Sequence, residues 1–168
     1  INDRPDGIIN IIDATNIERN LYLSLQIIEL GIPMVIALNM MDEIEANGGF
    51  IDVKMMSDEL GVPVVPISAG KNYGIDELVK VAVKTVQNGQ KPVKTDFCKG
   101  SVHRAIHSLA HLIEDHAERL NIPLRFAATK LVEGDEPMIK LLGLNQNELD
   151  ILNHVVHEME TSLGTDRE

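Results

Sequence analysis

Two polar side chains that could recognise a ligand follow the apolar run Met34–Leu38: Asn39 and, three residues later, Asp42. The run is too short for a helix and predicts a strand buried on both faces, as in a parallel sheet. Ligands of open α/β sheets bind at the carboxyl ends of strands, where this pair stands. A carboxylate accepts two N–H donors side by side, and the N1–H and 2-amino groups of guanine are such a pair. The spacing therefore predicts that an amide and a carboxylate face one ligand.

The same two residues have a second interpretation, in which they only shape the backbone. Asp42 could cap a helix that starts near Glu43, and Asn39 could close a turn. Because Asn-x-x-Asp is a short pattern that occurs often by chance, these residues alone leave both interpretations open.

A second polar loop follows the next predicted strand. The segment Val62–Ser68 contains two prolines, which cannot donate to a β ladder, so it is predicted to be an edge strand. Ser68 and Ala69 then open a loop that runs to Gly74. Two such loops in this order, each after a predicted strand, favour guanine binding over helix capping.

The rest of the chain predicts alternating strands and helices, and then helices alone. A strand at 7–13 and a helix at 17–30 precede the run that ends at Asn39, and this β-α-β arrangement implies a parallel pair with a right-handed crossover. Glycines, prolines and apolar residues at helical spacing predict the remaining helices at 52–60, 75–86, 101–121, 124–132, 137–142 and 145–163. We therefore expect an α/β domain at 1–90, a linker at 91–100 and an all-helical domain at 101–168.

Composition narrows the classes of partner. The formal net charge of −11 disfavours binding to nucleic-acid backbones or anionic lipids. Aromatic residues are 3% of the chain and Trp is absent, which disfavours a platform for stacking nucleic-acid bases. Cys98 is the single cysteine, so the chain cannot form an internal disulfide. No apolar run approaches the roughly 20 residues that span a bilayer.

The two loops resemble the base-recognition motifs of GTP-binding proteins, which are usually Asn-Lys-x-Asp and a Ser-Ala core. The longer stretches Asp13–Leu21 and Ala37–Asp42, followed by a helical region, resemble the cytoplasmic N-terminal domain of the bacterial ferrous iron transport protein B family. The resemblance covers essentially the whole chain. It implies the C-terminal half of a P-loop-NTPase-like G domain followed by a regulatory helical domain, and it implies GTP binding and hydrolysis linked to Fe²⁺ uptake.

The resemblance also assigns roles in the first loop. Asn39 would hold the base and the base-recognition loop. Asp42 would accept hydrogen bonds from N1–H and the 2-amino group. Met40 stands where GTP-binding proteins usually have Lys, and its thioether chain could lie on the face of the base.

In the second loop, Ser68 would set the loop and Ala69 would donate its backbone N–H to O6; Gly70 is expected among the nucleotide-binding residues. GTP or GDP is therefore the expected ligand. The 168 residues contain no Gly-x-x-x-x-Gly-Lys-[Ser/Thr] sequence, which cradles phosphates and holds Mg²⁺ in such proteins. We expect Mg²⁺ only together with an N-terminal half that precedes this chain, no catalytic residue here, and no GTP hydrolysis by this chain alone.

The implied partner is the membrane-embedded part of the same transporter, at the cytoplasmic face of the bacterial inner membrane. The predicted strand Ile8–Ile12 would leave an apolar edge exposed, which invites pairing with a second copy. An alternative is a regulatory or interaction module without enzymatic activity on an α/β scaffold. His103, His107 and His111 recur every four residues, and we interpret them as a solvent-facing stripe because the apolar residues occupy the other side of the helix. Each step climbs roughly 6 Å along the helix, so the three would fit one metal ion poorly.

Overall fold

The chain divides into two compact units, Ile1–Asp96 and Phe97–Glu168. The computed structural model describes residues 5–94 and 96–165. The first unit combines a parallel sheet with flanking helices and the second unit is helical, which confirms the predicted fold class.

The strands of the first unit are β1 (Ile8–Asp13), β2 (Met34–Asn39) and β3 (Val64–Pro66). Over the described residues they form a parallel sheet in the order β1-β2-β3, so β3 is an edge strand as its prolines predict. Ile8 pairs with Met34, and Ile36 pairs with Val64. This register puts the ends of β2 and β3 at the same edge of the sheet.

The helices of the first unit are α1 (Ile17–Glu29), α2 (Met41–Ala46), α3 (Val53–Leu60) and α4 (Ile75–Gln87). α1 connects β1 to β2 and completes the predicted β-α-β unit. α2 is the short helical segment that leaves the end of β2, and α4 follows the second polar loop.

The centre of the first unit is β2, whose residues from Met34 to Leu38 are at most 1% exposed. One face of the sheet packs against α4 through a cluster of aliphatic residues: Val35, Ala37, Val65, Ile67 and Leu78. Because both faces of β2 are covered, the polar residues at its end are held on a rigid element.

The sequence predicts that β1 leaves apolar surface exposed, and the structure confirms this. Ile12 is 1% exposed, whereas Ile9 and Ile11 are 47% and 62% exposed. Ile9 pairs with Val35 and Ile11 with Ala37 in the sheet register, so they lie on the face that α4 covers. α4 packs on β2 and β3 but does not cover β1. The side chains of Ile9 and Ile11 therefore remain exposed at the side of this apolar face.

The second unit consists of α5 (Gly100–Leu120), α6 (Leu124–Val132), α7 (Glu136–Leu142) and α8 (Gln146–Leu163). Its aliphatic core includes Leu109, Ile113, Leu131 and Leu142, each 0% exposed. Over residues 5–94 and 96–165, no helix combines the length and the apolar character that crossing a membrane would require.

Candidate functional site

The two polar loops meet because β2 and β3 are parallel neighbours. Ile67 donates its backbone N–H to the carbonyl of Leu38 at 2.8 Å, which extends the pairing past the end of β3. Met41 donates its backbone N–H to the carbonyl of Ile67 at 3.3 Å. These bonds join the chain on both sides of Asn39 to the start of the second loop, so side chains about 30 residues apart in sequence become neighbours.

A sharp backbone turn at Met40 sets the direction in which the chain leaves β2. Met40 has a φ of 64°, in the left-handed region that costs a residue with a side chain about 1–2 kcal/mol. The turn starts α2 at Met41 and puts Asp42 in its first helical turn. Met40, not Asp42, is the N-cap residue, and it makes no side-chain capping bond. The interpretation of Asp42 as a helix cap is therefore wrong, and backbone strain of this kind is concentrated at functional sites.

Asn39 contacts the second loop rather than closing a local turn. Its side-chain oxygen Oδ1 accepts the backbone N–H of Ala69 at 3.0 Å. This is the N–H group that the sequence predicts would donate to guanine O6. In the structure Asn39 holds the N–H group in place, and a base carbonyl in the same direction would share it.

Asp42 has one donor on each carboxylate oxygen. The Ser68 hydroxyl donates to Oδ1 at 2.6 Å, and the Lys71 ammonium lies 2.9 Å from Oδ2. These contacts, the Ser68 hydrogen bond first and the Lys71 hydrogen bond second, hold the pKa of the Asp42 carboxyl below its ordinary value. Asp42 is therefore an ionised acceptor at neutral pH, as recognition of two N–H donors requires.

The second loop is closed at its base by two backbone hydrogen bonds. Ser68 and Tyr73 exchange N–H and carbonyl groups at 3.1 Å in both directions. Ser68 is 4% exposed, so its hydroxyl has a fixed position. Ala69–Lys71 forms a single turn of 3₁₀-helix above this bridge. Gly70 lies in the turn, and nothing lies within 4 Å of the position that a Cβ would take there.

A cavity of about 440 Å³ lies against the carboxylate. It is lined by Met41, Asp42, Glu45, Ser68, Lys71 and Tyr73. The lining combines two carboxylates, two hydroxyls and one ammonium, so the cavity can bind a polar group that offers hydrogen-bond donors.

The contact between Lys71 and Asp42 is the feature that sequence reasoning missed. In the sequence Lys71 is one residue of the loop that runs from Ser68 to Gly74, and no spacing rule relates residues 42 and 71. The left-handed conformation of Met40 was also missed, because positive φ is usual for Gly and uncommon for Met.

The histidine stripe lies on α5, in the second unit. The ring centroids of His103 and His107 are 6.1 Å apart, and those of His107 and His111 are 4.6 Å apart. His107 and His111 are exposed. Within 5–94 and 96–165, no group of three His, Cys, Asp or Glu residues is arranged to hold a metal ion.

Comparison with known proteins identifies similar sequences for both units. A sequence profile described as ferrous iron transport protein B matches residues 1–82, and one described as the FeoB cytosolic helical domain matches residues 99–168. The chain is 37% identical over 155 residues to an Fe(2+) transport protein A/Fe(2+) transporter FeoB fusion protein of Porphyromonas gingivalis. It is 36% identical over 133 residues to the Fe(2+) transporter FeoB of Escherichia coli K12. These matches cover 89% and 77% of the chain but only 18% and 16% of the relatives, so the chain spans less than a fifth of their length.

Solved structures of similar sequence have the same fold. NFeoB from S. thermophilus in its mGMPPNP-bound form is 36% identical, with a TM-score of 0.83 over 99% of this chain and 62% of that one. The same protein bound to GDP.AlF4- and K+ is 36% identical, with a TM-score of 0.82 over 94% of this chain and 60% of that one.

Proposed function

Because the chain belongs to the ferrous iron transport protein B family, as a portion of its G domain followed by its cytosolic helical domain, we propose that its first unit recognises the guanine base of GTP and GDP. The base contacts are assigned to the two loops described above. Their residues are Asn39, Met40, Asp42, Ser68, Ala69 and Gly70.

The observation that carries this proposal is the pair of side-chain hydrogen bonds between the loops. Asn39 holds the N–H of Ala69, and Ser68 holds one oxygen of Asp42. One loop therefore supplies the acceptor for the N1–H and 2-amino edge, and the other supplies the donor for O6. Both bonds join protein groups and fix the two loops relative to each other, which reduces the entropy lost when a base binds.

The hydrogen-bonding capacity of Asp42 fits a guanine edge. A carboxylate has about four lone-pair sites, and the contacts with Ser68 and Lys71 use two of them. Both oxygens offer acceptor sites to N1–H and the 2-amino group once Lys71 is displaced from Oδ2. Adenine offers an acceptor at N1 and no 2-amino group, so it gains nothing from an ionised Asp42. The site therefore favours guanine over adenine.

Further roles belong to the longer family proteins. Solved relatives are bound to guanine nucleotides, among them GDP.AlF4- and mGMPPNP. We propose that the intact transporter hydrolyses GTP, with phosphates and Mg²⁺ held by residues outside this chain, and couples this activity to Fe²⁺ uptake. The two units would then act at the cytoplasmic face of the bacterial inner membrane, next to the membrane-embedded part, and the helical unit would have a regulatory role.

The direct test is an NMR titration of the chain with GDP and, separately, with ADP at millimolar concentration. We expect GDP to shift the amide signals of 39–42 and 68–71, because both loops contact the base. ADP is the matched control, since it has the same ribose and diphosphate. Equal shifts with both nucleotides, or none with either, would exclude guanine recognition and favour an interaction module on an α/β scaffold.

We also propose that a second copy of the chain associates through β1. Within the described part, β1 pairs with β2 alone, and Ile9 and Ile11 expose apolar surface beside its outer edge. A lysine on an edge strand opposes such pairing. Ile11→Lys is therefore expected to weaken dimerisation about tenfold, since about 1.4 kcal/mol corresponds to that factor.

Sedimentation velocity over a concentration series measures this change. Phe50→Lys is the control, because Phe50 is 86% exposed outside the sheet. A wild-type chain that stays monomeric at all concentrations, or an equal effect of both substitutions, would contradict the β1 interface.

A further inference from the structure

The two donors on Asp42 differ in how firmly they are held. Ser68 is 4% exposed, and its backbone is fixed by the bridge to Tyr73. The Lys71 side chain is 66% exposed and lies at the end of the short 3₁₀ turn. A lysine carries its charge on a flexible four-carbon chain that remains strongly hydrated. The Ser68 contact is therefore a permanent part of the site, whereas the Lys71 contact can open.

The Lys71 contact, which can open, involves an oxygen of Asp42 that guanine requires. Guanine needs both carboxylate oxygens of Asp42, one for N1–H and one for the 2-amino group. Lys71 lies 2.9 Å from Oδ2 and offers N–H donors and a positive charge to it. A neutral base that approaches Oδ2 competes with a cation for the same acceptor and for the same negative charge.

We propose that Lys71 is a positioning residue that occupies Asp42 while the base site is empty and must withdraw from Oδ2 when guanine binds. In this arrangement Lys71 acts as an internal substitute for the donors of the base. It keeps the carboxylate oriented and its charge compensated, and it makes guanine binding weaker and guanine release faster than Asp42 and Ser68 alone would allow. The inference rests on the proposed function, because it assigns a competitor to the same base site.

The expected effect is modest, because the ion pair is exposed. Exposed ion pairs contribute up to about 1 kcal/mol, and the removal of such a competitor corresponds to about two- to fivefold tighter binding. Removal of a residue that supports the loop or contacts the base would instead weaken guanine binding. The direction of the change therefore separates a competitor from a structural or base-binding lysine.

The experiment compares three substitutions by NMR titration with guanosine and with GDP. Guanosine presents the same base edge without phosphate charge, so a change seen with both ligands reports on the base. Lys71→Gln removes the cation, and Lys71→Arg keeps it. Lys54→Gln is the matched control, because Lys54 forms an exposed 2.8 Å ion pair with Asp58 on α3.

We expect Lys71→Gln to bind guanosine and GDP about two- to fivefold more tightly and to release GDP more slowly. Lys71→Arg should restore wild-type affinity, and Lys54→Gln should leave it unchanged. Weaker or unchanged binding by Lys71→Gln, while the wild type binds GDP, would overturn the role of Lys71 and leave guanine recognition intact. If no variant responds to either ligand, the proposed function fails and the inference fails with it.

A second readout needs no nucleotide. The Lys71 contact lowers the pKa of Asp42, and the Ser68 hydrogen bond lowers it more. The titration of the Asp42 carboxyl carbon, followed by ¹³C NMR, should therefore move to higher pH in Lys71→Gln and stay at the wild-type position in Lys71→Arg. An unchanged titration in Lys71→Gln would mean that the ion pair does not form in solution, and this result would also overturn the inference.

Discussion

Replacing Asp42 with Asn is expected to weaken GDP binding by about 10- to 150-fold, because a hydrogen bond to a charged group contributes about 1.5–3 kcal/mol. The substitution keeps the shape of the side chain but replaces one acceptor oxygen by an NH₂ donor. Guanine presents donors at both N1 and the 2-amino position. One of the two contacts with residue 42 therefore becomes a clash between donors.

The same substitution should create a different specificity. Xanthine has an N1–H donor beside an acceptor oxygen at position 2, which complements the carbonyl and NH₂ groups of Asn. We therefore expect Asp42→Asn to bind xanthosine diphosphate more tightly than GDP, the reverse of the order for the wild type. Equally weakened binding of GDP and xanthosine diphosphate would instead indicate a damaged loop.

Dissociation constants for GDP, xanthosine diphosphate and ADP, measured by NMR titration, test this expectation. Glu43→Gln is the matched control, because Glu43 is an exposed carboxylate next to Asp42 in the first turn of α2. It removes the same charge from the same helix and should change GDP binding little. An effect of Glu43→Gln as large as that of Asp42→Asn would point to general electrostatics and contradict direct recognition of the base.

Replacing Gly74 with Ala is expected to destabilise the first unit by about 2–5 kcal/mol, the sum of a conformational and a steric cost. Gly74 has a φ of 76°, which favours Gly because it has no side chain. A Cβ at this position would also meet the backbone carbonyl oxygen of Pro66 and approach Cγ2 of Ile67 to 3.1 Å. A backbone atom of β3 cannot move aside as a flexible side chain can.

Gly31→Ala separates the two costs. Gly31 also has a positive φ, of 63°, but nothing lies within 4 Å of the position of its Cβ. It should therefore have only the conformational cost of about 1–2 kcal/mol. Urea unfolding of both variants, with midpoints compared at a constant m value, measures the difference. Equal losses of stability would mean that the close approach of Gly74 to β3 does not constrain the loop.

Local patterns predicted the secondary structure closely, since each element carries its own signals. The helix expected at 17–30 is observed at Ile17–Glu29, and that expected at 124–132 is observed at Leu124–Val132. Apolar residues at helical spacing, with Gly and Pro at the ends, contain this information within one stretch of chain. The exposed apolar surface at β1 was also predicted, and only the position of α4 shows which side chains form it, namely Ile9 and Ile11.

The sequence by itself determined an α/β unit followed by a helical unit and the order of the two polar loops along the chain, for which it predicts guanine recognition. Only the tertiary structure decided that Asn39 holds the N–H of Ala69 and that Ser68 and Lys71 share the carboxylate of Asp42. The physical reason is that these contacts join residues 26 to 30 positions apart. They depend on the parallel register of β2 and β3 and on the turn at Met40, and no local spacing rule encodes either of them.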